Sequence, residues 1–532
     1  MISIAALHDL TSDTEIHASV VIVGSGFAGQ EVARALVEKG IDTLILEAGG
    51  PNMDQSAGIA ETAGSEKTST NPKTMKFNKH LSPELRNNVQ VQQFGGLSTL
   101  WSGKWKALEP CDFYNREDLG HAGWPIDYAD IEPFYRGVAK DFGLDIQRPS
   151  SYRNEEAKVS SDLKFPFHIE EKNPTRLNSS SLEVLDGPGN LDVLFNSFVV
   201  NITQSDDLGS VTTLQVKDKT GVMHNISAEH FVLAIGGIQI PRLLLASNKQ
   251  SPNGVGNKND LVGRYFMDHP KTKVGRFIPS GETVLPNGFH PDKTSDQFQQ
   301  LSISLSNTVL EHDGLPNHNA YLWPVYGHSL NYPHDEMQSL KAEIKKRNVV
   351  AMFSSIFRMA MHPKKVGAVL QNILKKGPLP ISHYSLMMYL EQLPNPESRV
   401  LLVDTQDQNG VPRAQVKQQF LPSEERLLWR FVEKLGRVIQ EAGLGKIEIE
   451  NVKPTLDEFS GANHFMGTTR MSTDPDGGVV DANCTVWGID NLHIASASVF
   501  PTGGNANPTL SLVALSRRLG HHLAELCSVQ EN

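Results

Sequence analysis

The chain has 532 residues, a net charge of −11, 39% hydrophobic and 20% charged residues, and only 3 cysteines. This composition excludes collagen, coiled-coil and disordered classes, and three cysteines cannot form a disulfide framework. The acidic balance argues against nucleic acid as a partner. Because one hydrophobic core rarely organises so long a chain, we expect two domains.

The chain shows no leader, anchor or metal-binding pattern. Its first ten residues lack a basic segment followed by an apolar run, and there is no CxxC or HExxH motif. The longest apolar stretch, residues 231–246, is interrupted by glycine, proline and arginine and is too short for a membrane-spanning helix. We therefore expect a cytoplasmic protein with no transmembrane segment and no bound metal.

Hydrophobic periodicity and turn residues predict alternating strands and helices at both ends of the chain and antiparallel strands between them. In chain order the predicted elements are a strand at 20–23, a helix at 30–39 ended by Gly40, a strand at 43–46, a polar irregular excursion at 52–90, a strand at 231–235, short alternating runs at 301–305 and 399–403, a strand at 491–494 and a helix at 508–526.

The first strand leads into a glycine turn that is typical of dinucleotide-binding proteins. Gly24, Gly26 and Gly29 have GxGxxG spacing and open the first helix. In this motif the first glycine allows the tight turn, the second lets the backbone approach a pyrophosphate, and the third permits close packing of the helix. Glu47 ends the next strand, where a carboxylate can accept hydrogen bonds from a ribose. The order of these elements predicts a dinucleotide site.

One segment differs from the rest in charge. Residues 341–376 contain nine Lys or Arg and one Glu, a local charge of +8 that leaves −19 for the remainder. This segment can be interpreted as a lid, or as a surface that touches a membrane or an electron acceptor. The alternative is a solvated helical pair packed on the second domain or on another subunit.

Three further blocks narrow the class of protein. They are Phe94–Gly103, Ala234–Arg242, and a carboxyl-terminal block formed by His464–Met471 and Asn491–Leu510. With the first glycine turn, these blocks resemble the glucose–methanol–choline (GMC) family of flavoprotein oxidoreductases. The resemblance extends over most of the chain through Gly123–Ile126, Leu261–Tyr265 and Asn395–Val400. Within the family, Ser98, Thr99 and Trp101 together with residues 501–510 are most similar to pyranose oxidases and related bacterial sugar and glycoside oxidoreductases.

The resemblance implies an α/β fold, α+β overall, in which a Rossmann-type FAD-binding domain is interleaved with an antiparallel-sheet substrate domain. We expect the FAD-binding domain to comprise residues 1–145, 185–271 and 447–532. The substrate domain is then formed by residues 146–184 and 272–446, including the basic segment 341–376.

The resemblance also implies FAD as the cofactor and assigns residues to it. They are Gly24, Gly26, Phe27, Gly29, Glu47, Gly95, Gly96, Ser98, Thr99, Trp101, Ser102, Val199, Gly236, Ser496, Asn507, Pro508 and Thr509. Val199 is placed near the adenine. Leu100 stands where pyranose oxidases can have a histidine linked to the flavin, so we expect non-covalent FAD. Ser496 stands where many members have an acid.

His464 and Asn507 match the catalytic pair of the family. The resemblance makes His464 the base that removes the hydroxyl proton and Asn507 the partner that holds the alcohol oxygen. From local sequence alone, Asn507 followed by Pro508 is also typical of a helix N-cap, and both roles can coexist. We expect His269 and His121 to be structural.

The predicted activity is therefore FAD-dependent oxidation of a secondary hydroxyl of a pyranose or glycoside, with hydride transfer to flavin N5. The alternatives are a primary or non-sugar alcohol, an amino sugar, or a non-redox lyase that retains the flavin. Expected partners are the small-molecule substrate, oxygen or a quinone as electron acceptor, and further copies of the chain in a homo-oligomer.

Overall fold

The computed structural model describes residues 2–11, 14–51, 91–147, 159–178, 181–182, 187–280, 285, 287–289, 295–326, 381–450 and 459–530. The excursion predicted at 52–90 and the basic segment 341–376 lie outside these residues. No helix within the described ranges combines the length and apolarity that a membrane crossing requires.

Strands and helices alternate along the first half of the chain and again at its end. The strands are β1 (Ile2–Ala6), β2 (Ile16–Val23), β3 (Thr43–Glu47), β4 (Lys104–Trp105), β5 (Leu163–Lys164), β6 (Phe167–Glu171), β7 (Leu191–Phe195), β8 (Phe198–Gln204), β9 (Val211–Lys217), β10 (Met223–Leu233), β11 (Lys271–Pro279), β12 (Gln297–Leu301), β13 (Ser304–Leu305), β14 (Asn319–Tyr326), β15 (Ile381–Tyr389), β16 (Arg399–Gln406), β17 (Pro412–Lys417), β18 (Gly445–Ile449) and β19 (Leu492–Ile494). The helices are α1 (Phe27–Glu38), α2 (Tyr128–Asp141), α3 (Gly236–Ala246), α4 (Asn307–Asp313), α5 (Pro422–Glu441) and α6 (Thr509–Gln530).

An eight-stranded sheet contains the first and the last strand of the described residues. Its order is β1-β7-β3-β2-β10-β9-β8, with β19 paired to β10 beyond the end of β9. The pairs from β1 through β10, and the β10–β19 pair, are parallel, whereas β9 pairs antiparallel with β10 and β8. The central residues of β2, Val20–Val23, are buried without alternation, which is typical of a parallel strand covered on both faces.

The first and last helices pack against each other on this sheet. The two helices approach each other closely near Gly520, where an added β-carbon would lie only 2.7 Å from the β-carbon of Ala35. Glu31 of α1 and Arg517 of α6 form a buried ion pair with 2.6 Å between Oε2 and Nη2. The end of the chain is therefore fixed beside the first glycine turn.

The middle of the chain forms antiparallel sheets, as expected, but the two predicted runs lie outside the largest of them. Residues 301–305 are divided between β12 and β13, and residues 399–403 belong to β16, which pairs with β17. The largest antiparallel sheet of the described residues has four strands. Its order is β14-β15-β11-β18, and α5 packs near β18 through a continuous apolar stripe. A three-stranded sheet, β12-β6-β4, connects this region to residues that follow the second glycine turn. The domain boundaries proposed from the sequence stay a prediction.

Strands β2 and β10 begin at Ile16 and Met223, earlier than the predicted residues 20 and 231. The two predicted helices also differ from the structure, chiefly at one end. Helix α1 begins at Phe27 rather than at residue 30, because Gly29, read from sequence as part of a turn, already has helical geometry. Helix α6 continues to Gln530 rather than ending at residue 526. Neither difference moves a residue of the glycine turn away from the helix N-terminus.

The packing of α1 on β2 depends on Gly29. A β-carbon at this position would lie 2.0 Å from the carbonyl oxygen of Gly24, whose backbone is fixed in the sheet. We expect Gly29→Ala to lower the free energy of unfolding by about 1–3 kcal/mol or more. Thermal unfolding of protein stripped of small molecules measures this.

Gly26→Ala is the matched control for this change. Its φ is −69° and a β-carbon there would meet only the carbonyl oxygen of Gly95, at 4.0 Å. The stripped Gly26→Ala protein should therefore unfold close to the wild-type temperature. Equal melting temperatures for the two variants would contradict the packing argument.

Candidate active site

A cavity of roughly 510 Å³ opens at the carboxyl ends of the parallel strands. Residues that directly follow β2, β3, β10 and β19 line it, which is where ligands bind in open α/β sheets. The lining contains most of the residues assigned from the sequence, namely Gly24, Gly26, Phe27, Glu47, Gly96, Ser98, Trp101, Ser102, Val199, Gly236, His464, Ser496, Asn507, Pro508 and Thr509.

Three helix N-termini border this cavity. They begin at Phe27 of α1, Gly236 of α3 and Thr509 of α6, and all three residues are part of the lining. None of the three has an acidic residue in its first turn, and α1 and α3 have no side-chain cap. Free N–H groups and the positive ends of three helix dipoles therefore favour an anionic ligand or the build-up of negative charge.

The first glycine turn presents its backbone to the cavity. Gly24 has φ +104°, and a β-carbon there would lie 2.7 Å from the carbonyl oxygen of Ala234. Gly26 has open space instead, so a ligand can approach the main chain closely. This is the geometry that a pyrophosphate requires at the start of a helix.

The Glu47 carboxylate lies at the cavity wall and is only 5% exposed. Its Oε2 accepts hydrogen bonds from the backbone and hydroxyl of Ser25, at 3.2 and 2.5 Å, and its Oε1 accepts one from Gly49 N at 2.8 Å. Burial raises the pKa of Glu47, and these hydrogen bonds oppose that rise. Ser25, which the sequence analysis did not single out, also accepts a 3.1 Å hydrogen bond from Gly95 N and joins the two glycine turns.

Three residues assigned to the cofactor support the wall instead of lining it. Gly29 packs behind Gly24, and the N–H of Gly95 is used by Ser25. The Thr99 hydroxyl donates a 2.8 Å hydrogen bond to Gly96 O and closes the short helical turn Gly96–Thr99. The sequence pattern located this turn but could not tell which of its side chains face inward.

Aromatic packing fixes the other side of the cavity. The Trp101 indole donates a 2.7 Å hydrogen bond to Thr175 O, and its ring meets Phe27 edge to face with 5.0 Å between centroids. Trp105 and Phe142 extend this cluster away from the cavity. Leu100, at the position relevant to covalent flavin attachment, lines the cavity.

His464 and Asn507 lie together at the cavity wall although 43 residues separate them. Asn507 Nδ2 is 3.3 Å from Nε2 of His464, so the amide donates to the ring nitrogen. Asn507 lies two residues before the start of α6, and Leu512 N donates to Pro508 O in its first turn. The side chain suggested as a helix N-cap therefore hydrogen-bonds to the histidine.

The Asp268 carboxylate holds the loop that carries His464. Oδ1 accepts hydrogen bonds from the backbone N–H groups of His269 and His464, at 2.7 and 2.8 Å. Oδ2 accepts from those of Ala462 and Asn463, at 3.0 and 3.1 Å. This carboxylate is fully buried, and its two oxygens accept these four backbone hydrogen bonds.

His269, for which the sequence suggested a structural role, lies directly behind His464. The two Nδ1 atoms are 2.8 Å apart, and the rings meet at 80°. His121, the other histidine expected to be structural, lies elsewhere, with Nδ1 3.8 Å from Oε1 of Glu391.

The surroundings keep His464 neutral. Burial lowers its pKa well below the ordinary value, and the positive charges of Lys271 and Lys104 lower it further. The Lys271 ammonium lies 5.3 Å from the centre of the Tyr389 ring, and burial lowers the pKa of this lysine too. At neutral pH His464 is consequently unprotonated and can accept a proton.

No sequence pattern indicated four further residues of the site, namely Ser25, Asp268, Lys104 and Lys271. Asp268 and Lys271 lie almost 200 residues from His464 along the chain, so no local spacing indicates their proximity. The backbone bridges Met267–Met466 and Lys271–Ser460, together with the hydrogen bonds of Asp268, bring the two segments together.

Comparisons with known proteins agree with this architecture. Residues 394–516, which include His464 and Asn507, match the family model described as GMC oxidoreductase. The chain is 24% identical to the fructose dehydrogenase large subunit of Gluconobacter japonicus, over 95% of this chain and 98% of that protein. It is 23% identical to paromamine 6'-oxidase of Streptomyces fradiae, over 96% and 91% of the two chains. The crystal structure of pyridoxine 4-oxidase from Mesorbium loti superposes with a TM-score of 0.57 and 16% identity, covering 95% of this chain and 99% of that one.

The resemblance to GMC oxidoreductases predicted from the sequence motifs is therefore confirmed by the family match over residues 394–516 and by relatives that span nearly the whole chain. The superposition confirms the predicted fold class, a mixed α/β architecture with separate antiparallel sheets. Proteins of this family are FAD flavoproteins. The described residues fit that cofactor, because the open glycine turn and bare helix N-termini suit its diphosphate and the buried Glu47 carboxylate suits a ribose.

Proposed function

We propose that this protein is an FAD-dependent enzyme that oxidises a secondary hydroxyl of a pyranose sugar or glycoside to a carbonyl. The observation that carries the proposal is the contact between His464 Nε2 and Asn507 Nδ2, 3.3 Å apart at the wall of a cavity that begins at a dinucleotide-type glycine turn. A proton acceptor and an amide donor thus face the same space as the cofactor cradle.

In this proposal the cofactor occupies the cavity along its glycine-rich side. Gly24 and Gly26 leave room for its diphosphate, Glu47 accepts hydrogen bonds from the ribose, and Val199 lies on the adenine side. Residues of the second glycine turn, with Ser496 and the start of α6, surround the remainder. When bound, the flavin supplies the hydride acceptor.

The residues of the chain provide the proton chemistry and the orientation. The lone pair of His464 Nε2 takes the hydroxyl proton, and the Asn507 amide donates a hydrogen bond to the same oxygen. The alcohol thereby loses one proton to the imidazole and one hydride from carbon, which leaves a carbonyl. Low pKa keeps the imidazole ready for this step across the neutral range.

Two relatives support a sugar or glycoside as the substrate. One is named a fructose dehydrogenase and the other a paromamine 6'-oxidase, and each spans nearly the whole chain. We propose oxygen or a quinone as the electron acceptor, which reoxidation of the reduced enzyme by each will distinguish. A homo-oligomer and a cytoplasmic location stay predictions.

Anaerobic mixing with a panel of sugars, glycosides, simple primary alcohols and sterols tests the proposal. We expect sugars or glycosides to bleach the flavin absorbance, with the oxidised carbon identified in the product. Bleaching only by non-sugar alcohols would replace the substrate class, and a panel that leaves the flavin oxidised while a product forms would indicate a lyase.

The role of His464 is tested in the same experiment. Because a general base contributes roughly 10²–10⁴-fold, His464→Ala should slow flavin reduction by that factor while FAD remains bound. The control is His312→Ala, since this side chain is 84% exposed and pairs with Asp313. Reduction of His464→Ala at near wild-type speed would remove the histidine from the mechanism.

We predict that FAD is held without a covalent bond. Leu100 lies in the cavity wall where related enzymes can have a linking histidine, and leucine cannot form that bond. Unfolding in urea followed by ultrafiltration should therefore release all of the yellow chromophore into the filtrate. Flavin fluorescence that stays with the denatured chain on a gel would contradict this prediction.

The pH dependence should respond to Lys271. Its positive charge lowers the pKa of His464, so Lys271→Met should raise that pKa. Because the protonated imidazole cannot act as a base, activity is lost as pH falls through this pKa. The acidic limb of log kcat/KM should then move to higher pH in the variant.

Lys273→Met provides the comparison on the same strand. Lys273 is half-exposed and pairs with Glu450, and its charge does not contribute to the lowered pKa of His464. The acidic limb of log kcat/KM for Lys273→Met should coincide with that of the wild type. A shift to lower pH in Lys271→Met would have the wrong sign and would overturn the electrostatic assignment.

A further inference from the structure

A second histidine stands behind the proposed base. His269 is 3% exposed, follows Asp268 in the segment before β11, and does not belong to the cavity lining. We infer that His269 is a positioning residue, which fixes His464 in the tautomer that carries hydrogen on Nδ1 and so keeps the Nε2 lone pair directed at the substrate. This inference rests on the proposed function of His464.

The tautomer of His269 follows from its backbone partners. Its Nε2 lies 3.2 Å from Gly503 O and 3.1 Å from Gly504 O. A carbonyl oxygen only accepts hydrogen bonds, so Nε2 must carry the hydrogen. In the neutral ring Nδ1 is then unprotonated and acts as the acceptor. Burial lowers the pKa of His269, which is consistent with this neutral form.

This arrangement determines the state of His464. Because Nδ1 of His269 holds no hydrogen, the 2.8 Å contact between the two Nδ1 atoms requires His464 to be the donor. The neutral His464 ring then has its lone pair on Nε2, the atom that faces Asn507 Nδ2. The opposite tautomer would leave two ring nitrogens without hydrogens facing each other across the buried contact, at a cost of about 1–3 kcal/mol for the lost hydrogen bond.

The carbonyl acceptors are held rigidly. A β-carbon at Gly504 would lie 2.5 Å from the Asp112 carboxylate, and φ there is +51°, so this position requires glycine. One at Gly503 would lie 2.6 Å from Met466 Cε and 3.3 Å from His269 Nε2. The preceding Thr502 donates a 2.8 Å hydrogen bond to Asp112 O. The tautomer of His269 is therefore determined by a packed loop that carries no mobile side-chain acceptor.

The charged groups around the pair are of both signs. Asp268 and Glu391 act on His269 as negative charges, whereas Lys271 and Lys104 act on His464 as positive charges. The Asp268 oxygens are occupied by backbone N–H groups, and its Oδ1 binds the N–H groups of both histidines, at 2.7 and 2.8 Å. A neutral imidazole, and no carboxylate, is thus the direct partner of the His464 ring.

Substitutions of His269 test its positioning role. In His269→Phe the ring volume is kept and both hydrogen bonds are lost, so flavin reduction should slow by roughly 10²-fold or more. Substrate affinity should remain within a few-fold, because His269 does not reach the cavity. His269→Asn, whose Oδ1 can still accept from His464, should recover part of the loss. Similar losses in the two variants, or a main effect on affinity, would overturn the proposal.

A matched control and a spectroscopic measurement exclude a merely structural effect. His224→Phe removes a different buried histidine, which pairs with Asp218 at 3.3 Å, and should leave flavin reduction unchanged. In wild-type protein labelled with ¹⁵N-histidine, two-bond proton–nitrogen correlations assigned with His464→Gln should show hydrogen on Nδ1 of His464. Hydrogen on Nε2 would overturn the inference whether or not the variants fold.

An incorrect substrate class and an incorrect positioning role of His269 would give different experimental results. If no sugar reduces the flavin, the proposed substrate class fails while the measured tautomer still stands or falls on its own. If sugars reduce the flavin and His269→Phe reacts within threefold of wild type, only the positioning role is lost.

Discussion

The arrangement of the site depends on the hydrogen bonds that the Asp268 carboxylate accepts. Its four backbone hydrogen bonds join the segment before β11 to the loop 462–464, two parts of the chain almost 200 residues apart. Leaving buried amides of this kind unpaired costs about 1–3 kcal/mol each. Since the same Oδ1 binds the N–H groups of both His269 and His464, the spacing of the two rings is set by one carboxylate.

The main sheet supplies the second constraint. Strand β10 pairs along its length with β2 and at its end with β19, so segments from the start, middle and end of the chain finish at one edge. Helix α6, which follows β19, is tied to α1 by the ion pair of Glu31 and Arg517. The cavity is therefore enclosed by elements whose relative positions are fixed by backbone hydrogen bonds and by a buried charge pair, and Asn507 reaches His464 from the far end of the chain.

Residues whose role is local could be found from the sequence, and those whose role is created by tertiary contact could not. Gly24, Gly26 and Glu47 follow strands at fixed spacing, so the turn and its neighbours lie where the pattern predicted. The orientation of Thr99 depends on hydrogen bonding within its turn, and the role of His269 depends on a bridge between distant segments. The sequence feature that accompanies His269 is the preceding Asp268. The hydrogen bonds by which Asp268 holds the loop 462–464 become apparent only in the folded structure, where that loop lies beside it.

A neutral histidine behind the base has different consequences from a carboxylate there. A carboxylate would hold the Nδ1 hydrogen and also raise the pKa of His464, whereas His269 holds the hydrogen without adding negative charge. With Lys271 and Lys104 nearby, the imidazole is fully available as a base but gains little from accepting the proton. In the proposed reaction the compensation would come from the start of α6, which borders the part of the cavity left for the flavin and would stabilise negative charge there. The positive charge gained by the His464 ring would then lie opposite negative charge near this helix N-terminus, and the attraction between the two charges would make each less costly.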